Sequence, residues 1–250
     1  MRLGTTSYII PADILPNAEW LAGRVDDIEL VLFQVDSDGG NLPDAATVAR
    51  LAELGAAHDL SYTVHLPLDL RLAADGSAAS ASLHAAELVF AATAPLDPLA
   101  YVLHLDATDL GDPTAWRQRA RRSLELAGEL CGDPTRLAVE NLERWDPAHF
   151  APLFDELPIS RCVDVGHLWL EGHDPLPYLD AWLPRARVVH LHGIGERDHQ
   201  SLALMPPERL RPVVERLLDF DGVVTLEVFG QEDFESSLAA WHEAASTPRR

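Results

Sequence analysis

The chain has 250 residues, a length that suits one large domain, and its 47% hydrophobic and 24% charged residues are typical of an ordinary globular protein rather than a disordered or fibrous one. The 19 basic and 40 acidic residues give a formal net charge of −21, so we expect no nucleic acid partner. Every basic residue is an arginine, which excludes chemistry that needs a lysine: Schiff-base aldol cleavage, pyridoxal phosphate anchoring and P-loop phosphate binding.

Nothing in the sequence indicates a membrane segment or an oxidising compartment. The longest apolar runs have the length of strands, and the amino-terminal MRLGTTSYII becomes polar too early for a secretory signal. The two cysteines, Cys131 and Cys162, suit neither a disulfide framework nor a thiolate zinc site. We therefore expect a cytoplasmic protein with no membrane partner.

Short apolar runs rich in β-forming residues alternate with longer stretches of helical period, which is the pattern of βα units around a parallel sheet. The predicted strands cover residues 2–8, 28–35, 62–67, 101–107, 136–143, 160–167, 186–193 and 222–229. The clearest of the eight predicted helices cover residues 44–59, 113–130 and 206–220. No linker divides these units. They predict an α/β fold, a single-domain (β/α)8 TIM barrel spanning residues 1–250, with an open doubly wound sheet as the alternative.

The carboxyl ends of six consecutive predicted strands carry side chains that can bind metals. In a (β/α)8 barrel these ends meet at one mouth, whatever their separation in sequence. From the third strand to the eighth they supply His65, His104, Glu140, Asp164 with His167, His190 with His192, and Glu227, and the loop after the seventh strand adds His199. A single strand histidine is more often a core residue, so the prediction rests on the whole set.

Strand alternation places a small or apolar side chain beneath each of these ligands. The pairs on a common face are Thr63 with His65, Val102 with His104, Ala138 with Glu140, Cys162 with Asp164, Val188 with His190, and Thr225 with Glu227. This predicts an apolar floor below a ring of imidazoles and carboxylates. Carboxylates buried there need cations, and no arginine lies at these strand ends, so we expect divalent metal ions: zinc, manganese or iron.

The order of the ligands, with VDVGH supplying Asp164 and His167, resembles the xylose-isomerase-like barrel superfamily, which includes apurinic endonuclease IV and many sugar epimerases. The resemblance to the endonuclease implies one metal ion on His65, His104 and Glu140. It implies a second on Glu140, Asp164, His190 and Glu227, with Glu140 bridging, and a third on His167 and His199. The endonuclease has an aspartate two positions before that last histidine, where this chain has Arg197, and Asp198 or His192 is the candidate replacement.

A more specific resemblance lies near the amino terminus. GTTSYIIPADILPN at residues 4–17 and VDDIELVLF at residues 25–33 are similar to the cobamide-remodelling phosphodiesterases, barrel enzymes of the same superfamily. These enzymes open the nucleotide loop of adenosylated corrinoids. The resemblance implies a metal-dependent hydrolase that acts on the phosphodiester of a cobamide, with a cobinamide species as product. That family leads us to expect a glutamate where this chain has Gln34.

For this activity we expect two or more metal ions, which neutralise the phosphate oxygens and lower the pKa of a bound water, so that no protein nucleophile is needed. Glu140, Glu227 and His167 are the predicted catalytic residues, and His167 with His199 are either outer ligands or donors to the phosphate. The candidates for substrate contact are Ser7, Tyr8, Gln34 and His192. The first three of these are equally explained as strand-end caps, and His192 as a loop residue or a support for another ligand.

Three other functions remain open. In a sugar isomerase or epimerase with one metal, Glu140 and Glu227 would move a proton between adjacent carbons while Asp164 and His190 complete the coordination. DNA repair is disfavoured by the charge of −21. A non-enzymatic corrinoid or metal carrier would bind tightly without turnover.

Overall fold

The computed structural model describes residues 1–32, 40–105, 111–143 and 149–246. Eight parallel strands pair in chain order and form a closed barrel in which the last strand pairs with the first. They are β1 Arg2–Thr6, β2 Asp27–Val31, β3 Ser61–His65, β4 Tyr101–Leu103, β5 Leu137–Glu140, β6 Ser160–Asp164, β7 Ala186–Leu191 and β8 Val223–Leu226. The predicted single-domain (β/α)8 barrel is therefore confirmed, and the open sheet is excluded.

Helices cover the outside of the barrel. Within the described ranges they are α1 Ile14–Leu21, α2 Ala45–His58, α3 Gly76–Thr93, α4 Pro113–Cys131, α5 Ala151–Glu156, α6 Val165–Leu170, α7 Pro175–Trp182, α8 Pro207–Leu217 and α9 Gln231–Ser246. Two of them, α6 and α7, follow β6, so the described residues form nine α-helices, one more than the eight predicted. No helix among the described residues combines the length and hydrophobicity that a membrane crossing requires.

The strands begin where the sequence predicts them, within one residue, but they end two to four residues earlier. The prediction that residues 160–167 form one strand is therefore wrong beyond Asp164. The carboxylate of Asp164 accepts a hydrogen bond of 2.6 Å from the backbone N–H of His167 and caps the first turn of α6. His167 thus lies on a helix and not on a strand.

The barrel interior has the apolar floor that strand alternation predicts. A separate cluster of buried side chains fills it, formed by Ala100, Val102, Ala138, Cys162 and Val188. Two larger clusters pack the outer faces of the strands against the surrounding helices. The interior above the floor is left to polar side chains.

The β1–α1 loop is held by one side chain, that of the fully buried Asn17 on α1. Its Oδ1 accepts hydrogen bonds from the backbone N–H groups of Ile9 and Ile10, at 2.7 and 2.8 Å. Its Nδ2 donates to the carbonyl oxygens of Ile10, Ala12 and Asp13. All the hydrogen-bonding positions of this amide are occupied, so the loop is fixed at the barrel mouth.

Candidate metal centre

Imidazoles and carboxylates from β3 to β8 meet at the carboxyl end of the barrel. Within the described parts of the chain, several groups of ligand atoms lie within 4.8 Å of one another. Three of these groups contain Glu140, whose side chain is buried at the end of β5, and one of the three adds only Cys162 to Glu140 and His190. The structure therefore brings together the residues that the strand ends predict, while their roles as metal ligands stay a prediction.

The first group consists of His65, His104 and Glu140. Oε2 of Glu140 lies 3.3 Å from Nε2 of His65 and 2.9 Å from Nε2 of His104. Nδ1 of His65 is 2.7 Å from the carbonyl oxygen of Leu66, to which it donates in the neutral tautomer. This hydrogen bond leaves the lone pair of Nε2 for a metal ion.

The second group consists of Glu140, Asp164, His190 and Glu227, all buried. Nδ1 of His190 lies 3.4 Å from Oε1 of Glu140, 3.9 Å from Oδ2 of Asp164 and 3.1 Å from Oε2 of Glu227. Ligands about 2.05 Å from a tetrahedral metal ion lie about 3.3 Å apart, which is the range of these distances. The two oxygens of Glu140 thus face different groups, as a bridging carboxylate would.

Three buried atoms of this second group have no hydrogen-bond partner among the described residues: Oδ2 of Asp164, Nδ1 of His190 and Oε2 of Glu227. Buried polar atoms of this kind are rare because an unpaired group is costly. Here three of them converge at the one place where a cation would satisfy them all. The residues therefore fit a divalent metal ion, and their nitrogen and oxygen donors suit zinc, manganese or iron.

A third group extends outward from Asp164 and contains His167, His192 and His199. Nε2 of His192 is buried, makes no hydrogen bond within the described parts of the chain, and lies 3.4 Å from Oδ1 of Asp164. The His192 and His199 rings are stacked, with their centroids 4.3 Å apart. Gly166 makes room for His192, because a Cβ at position 166 would lie 2.1 Å from Cε1 of that ring.

Both candidate replacements for the aspartate that Arg197 displaces lie at this group. Arg197 itself points to Asp233, at 3.6 Å, with a largely exposed side chain. Oδ1 of Asp198 is instead 3.2 Å from Nδ1 of His199. Asp198 also forms a potential ligand group with His167 and Glu143, which lies beyond the end of β5 and was not among the predicted ligands.

Electrostatic interactions hold the buried carboxylates ionised. Burial alone would raise the pKa of Glu140, but the imidazoles of His190 and His104 outweigh it and hold the pKa well below its usual range. Burial also opposes ionisation of Glu227, yet His190 and His199 bring its pKa well below its usual value. Burial disfavours the His199 imidazolium, but Glu227 raises the His199 pKa to about 10.

Two further residues support the centre and were not predicted from the sequence. Glu29 is fully buried in β2, and its Oε2 lies 3.0 Å from Nε2 of His190 across the barrel. Oδ1 of Asn141 accepts a hydrogen bond from the backbone N–H of Asp164, and its Nδ2 donates one to the Asp164 carbonyl oxygen, both at 2.9 Å. The sequence signal for Glu29 was its charge within the apolar run IELVLF. Glu29 lies on the same face of β2 as Val31, which pairs with His65 of β3.

The predicted substrate-contacting residues are placed differently from one another. Tyr8 lines the mouth, and its hydroxyl accepts a hydrogen bond of 2.5 Å from Nδ2 of Asn41. Ser7 is fully buried, and its Oγ accepts from the backbone N–H of Val31, which agrees with the alternative that it caps a strand end. Gln34 lies outside the described residues.

A cavity of about 1210 Å³ opens above the ligands. Its wall is largely apolar and includes Ile9, Ile10, Pro11, Leu68, Leu142 and Phe229. Its floor is formed by ligand residues such as His104, Glu140 and His199. No arginine belongs to the lining among the described residues, so an anionic substrate would depend on bound cations for its charge balance.

The comparisons with known proteins agree with the barrel fold. The family model described as xylose isomerase-like TIM barrel matches residues 24–247. No curated protein is significantly similar to the chain in sequence. Among solved structures, endonuclease IV from Thermus thermophilus is 24% identical over 97% of this chain and 99% of its own, with a TM-score of 0.76.

Sugar-converting enzymes share the same fold. A D-tagatose 3-epimerase-like protein has a TM-score of 0.78 and 18% identity, with 98% of each chain covered. The 3-keto-D-glucoside 4-epimerase from E. coli has a TM-score of 0.75 and 16% identity, with 99% of this chain and 100% of its own covered. At these identities the structures are evidence for the fold alone.

Proposed function

The chain belongs to the xylose isomerase-like TIM barrel family, and from this premise we propose that it is a metal-dependent hydrolase that cleaves the phosphodiester in the nucleotide loop of adenosylated cobamides. The observation that carries the proposal is the pair of adjoining ligand groups that share Glu140. A shared carboxylate suits two neighbouring metal ions, which can hold both the attacking and the leaving oxygen of a phosphodiester. The resemblance of residues 4–17 to the cobamide-remodelling enzymes supplies the substrate.

Each ligand group would hold one ion. His65 and His104 with Glu140 would bind the first, and Asp164, His190 and Glu227 with Glu140 the second, as their spacing allows. Such ions would neutralise the phosphate oxygens and activate water for attack on phosphorus. The role of the chain is to hold these ligands in a buried site beneath the cavity, where no arginine among the described residues competes for the phosphate.

His167 and His199 are suited to contact the phosphate from the protein side. Both line the cavity beside Glu227. Burial lowers the pKa of His167, but Asp164 and Glu140 more than compensate and raise it to about 8, and that of His199 is raised to about 10. Each ring can therefore donate a hydrogen bond to a phosphate oxygen near neutral pH, whereas binding a metal ion in the outer group with His192 would require the ring to lose a proton.

The size of the cavity favours a large substrate. Pockets for drug-sized ligands usually measure about 300–1,000 Å³, and this one is larger. A monosaccharide would leave most of the space to water, whereas a cobamide has a broad, partly apolar ring that suits the wall of Ile9, Ile10, Leu68 and Phe229.

A second candidate is a sugar isomerase or epimerase with one metal ion. It is favoured by a specific observation: Glu140, Asp164, His190 and Glu227 form a complete four-ligand site on their own. In that case His65 and His104 would have less to do. About one metal ion per chain would favour this candidate, and two or more would favour the hydrolase.

The decisive experiment incubates the metal-loaded protein separately with an adenosylcobamide, with ketohexoses and with duplex DNA that contains an abasic site. We expect a cobinamide species from the first and unchanged material from the others. Epimerised sugar with intact cobamide would establish the second candidate, and incision of the DNA would contradict the expectation that nucleic acid is not a substrate. Tight corrinoid binding without turnover would indicate a carrier.

Glu140→Gln is the first variant to test, because Glu140 is common to both ligand groups. The amide keeps the shape but loses the charge and one metal-binding oxygen. We expect the turnover number to fall by more than about 100-fold, the upper range seen when even an outer partner of a ligand is lost. The circular dichroism spectrum should not change. Near-normal turnover would remove Glu140 from the centre of the site.

A further inference from the structure

Glu29 is a buried carboxylate that belongs to none of the candidate metal-ligand groups formed by the described residues. It lies in the middle of β2 and is fully inaccessible to solvent. Among the described residues, the imidazole of His190 is its only ion-pair partner, with Nε2 of His190 3.0 Å from Oε2 of Glu29. Its other oxygen, Oε1, is buried and has no hydrogen bond to any residue that the structure describes.

This arrangement is unfavourable for stability, so stability does not explain why a carboxylate is buried here. A buried carboxylate with a single partner and an unpaired oxygen costs several kcal/mol in desolvation, and apolar residues of similar volume often replace such groups without loss of stability. The neighbouring Asp27, on the same strand and face, differs in this respect, because Ser61 and Thr63 both donate hydrogen bonds to it. Among the described residues, the side chain of Glu29 has only His190 as a partner.

We propose that Glu29 is a positioning residue that fixes the His190 ring with Nδ1 directed at the metal centre. When Nε2–H donates to Glu29, the ring is held in the tautomer whose free lone pair is on Nδ1. Nδ1 is the nitrogen that lies among the carboxylates of Glu140, Asp164 and Glu227. The negative charge of Glu29 also makes the imidazole a stronger donor to a cation.

The consequence is an interaction that spans the barrel. Glu29 and His190 are 161 residues apart in sequence and belong to β2 and β7, so neither strand alone could orient the ring. The inference rests on the metal centre of the proposed function, but it does not depend on the identity of the substrate.

The test compares Zn²⁺ binding by Glu29→Leu, Glu29→Gln and wild-type protein, measured by competition with a chromogenic chelator and without any substrate. Leucine removes both the acceptor and the charge, so we expect one of the bound ions to bind about 10–100-fold more weakly. Glutamine can still accept the Nε2–H hydrogen bond, so we expect it to recover part of that loss. Urea unfolding of the metal-free proteins should show that Glu29→Leu is at least as stable as wild type.

Asp27→Asn is the matched control, since it neutralises a second buried carboxylate of β2 that does not contact His190. We expect wild-type Zn²⁺ affinity for it. The proposal is overturned if Glu29→Leu binds Zn²⁺ like wild type, if Asp27→Asn weakens binding as much, or if wild-type protein binds no Zn²⁺. Should Glu29→Leu fail to fold, equal affinity of Glu29→Gln and Asp27→Asn would overturn it as well. If Glu29→Leu loses Zn²⁺ affinity and the wild-type protein does not cleave cobamides, the positioning role of Glu29 is upheld and only the proposed substrate is refuted.

Discussion

Individual buried carboxylates in this barrel differ according to the groups that face them. Glu140 and Glu227 lie among imidazoles, which hold their pKa values well below the usual range. Asp27 lies at the start of β2 among hydroxyl groups, and there burial prevails: the hydrogen bonds from Ser61 and Thr63 only partly offset it, and its pKa rises to about 6. The first two are ready to bind a cation, whereas Asp27 is poised to take up a proton.

The raised pKa of Asp27 predicts a specific pH dependence of stability. Its pKa is about 6 in the folded protein against 3.8 in the unfolded chain, so between these values the folded state holds the proton more tightly. Its contribution to the free energy of unfolding is therefore full below about pH 4 and is lost as pH rises to 6. The shift of 6 − 3.8 = 2.2 sets an upper limit of about 3 kcal/mol.

Asp27→Asn should lack this dependence. We expect the unfolding free energy of the variant, relative to wild type, to increase between pH 4.5 and 6.5, because only wild type loses the contribution in that window. Urea unfolding of the two metal-free proteins at matched pH measures it, and the titration of all other groups cancels in the difference. Parallel profiles would mean that Asp27 titrates normally.

Among the elements, the β1–α1 loop connects a sequence signature to the cavity. Residues 4–17 were singled out by their resemblance to one family, and part of this segment, Ile9 to Ala12, forms cavity wall. Asn17 on α1 holds that wall through five hydrogen bonds to backbone groups. The segment is therefore a rigid part of the mouth.

Asn17→Ala should loosen this loop. It leaves the N–H groups of Ile9 and Ile10 without their acceptor, and an unsatisfied buried donor costs about 1–3 kcal/mol, so we expect the unfolding free energy to fall by about 3 kcal/mol. Amide hydrogen exchange at both residues should accelerate. Asn17→Asp is the control: it keeps the acceptor, so both amides should stay better protected than in the alanine variant. Unchanged exchange in Asn17→Ala would show that other contacts hold the loop.

For the strands, the sequence predicted the first residues better than the last ones. Strand starts were predicted within one residue, because apolar alternation begins where the barrel begins. Strand ends were not, because the polar residues that leave the sheet for the mouth still continue the alternation. His167 shows the difference, since its place on α6 depends on the cap that Asp164 provides. The ligands at the strand ends were found together because a closed barrel gathers those ends.

The residues that the sequence did not reveal act through distant partners. Glu29 stands in mid-strand, away from the positions where ligands were sought, and its role depends on His190 across the barrel. Asn141 follows a recognised ligand, but its function is to hold the backbone of Asp164 on the next strand. A linear pattern carries no information on such pairs until the fold is known.

For the molecule as a whole, the proposed metal centre places several carboxylates inside a protein that already carries a net charge of −21. Cations that bind only the folded state stabilise the whole barrel by mass action.

Removal of metal should thus lower thermal stability. At a free metal concentration about 1,000 times the dissociation constant, binding adds about 4 kcal/mol, which corresponds to a rise of about 8–16 °C in the midpoint for a domain of this size. Calorimetry with a chelator and then with added Zn²⁺ or Mn²⁺ measures the loss and its recovery. Glu140→Gln should show a smaller rise. An identical midpoint with and without metal would contradict the proposed centre.

The seam between the first and last strands determines when this protein can become active during its synthesis. Thr5 donates to the carbonyl of Leu226 at 2.7 Å, 221 residues away, and Thr6 donates to that of Val228. Glu227 sits between these two anchoring points. A nascent chain on the ribosome therefore has neither a closed barrel nor a complete set of candidate ligands until β8 has emerged, so the proposed metal centre can form only after that strand has been made.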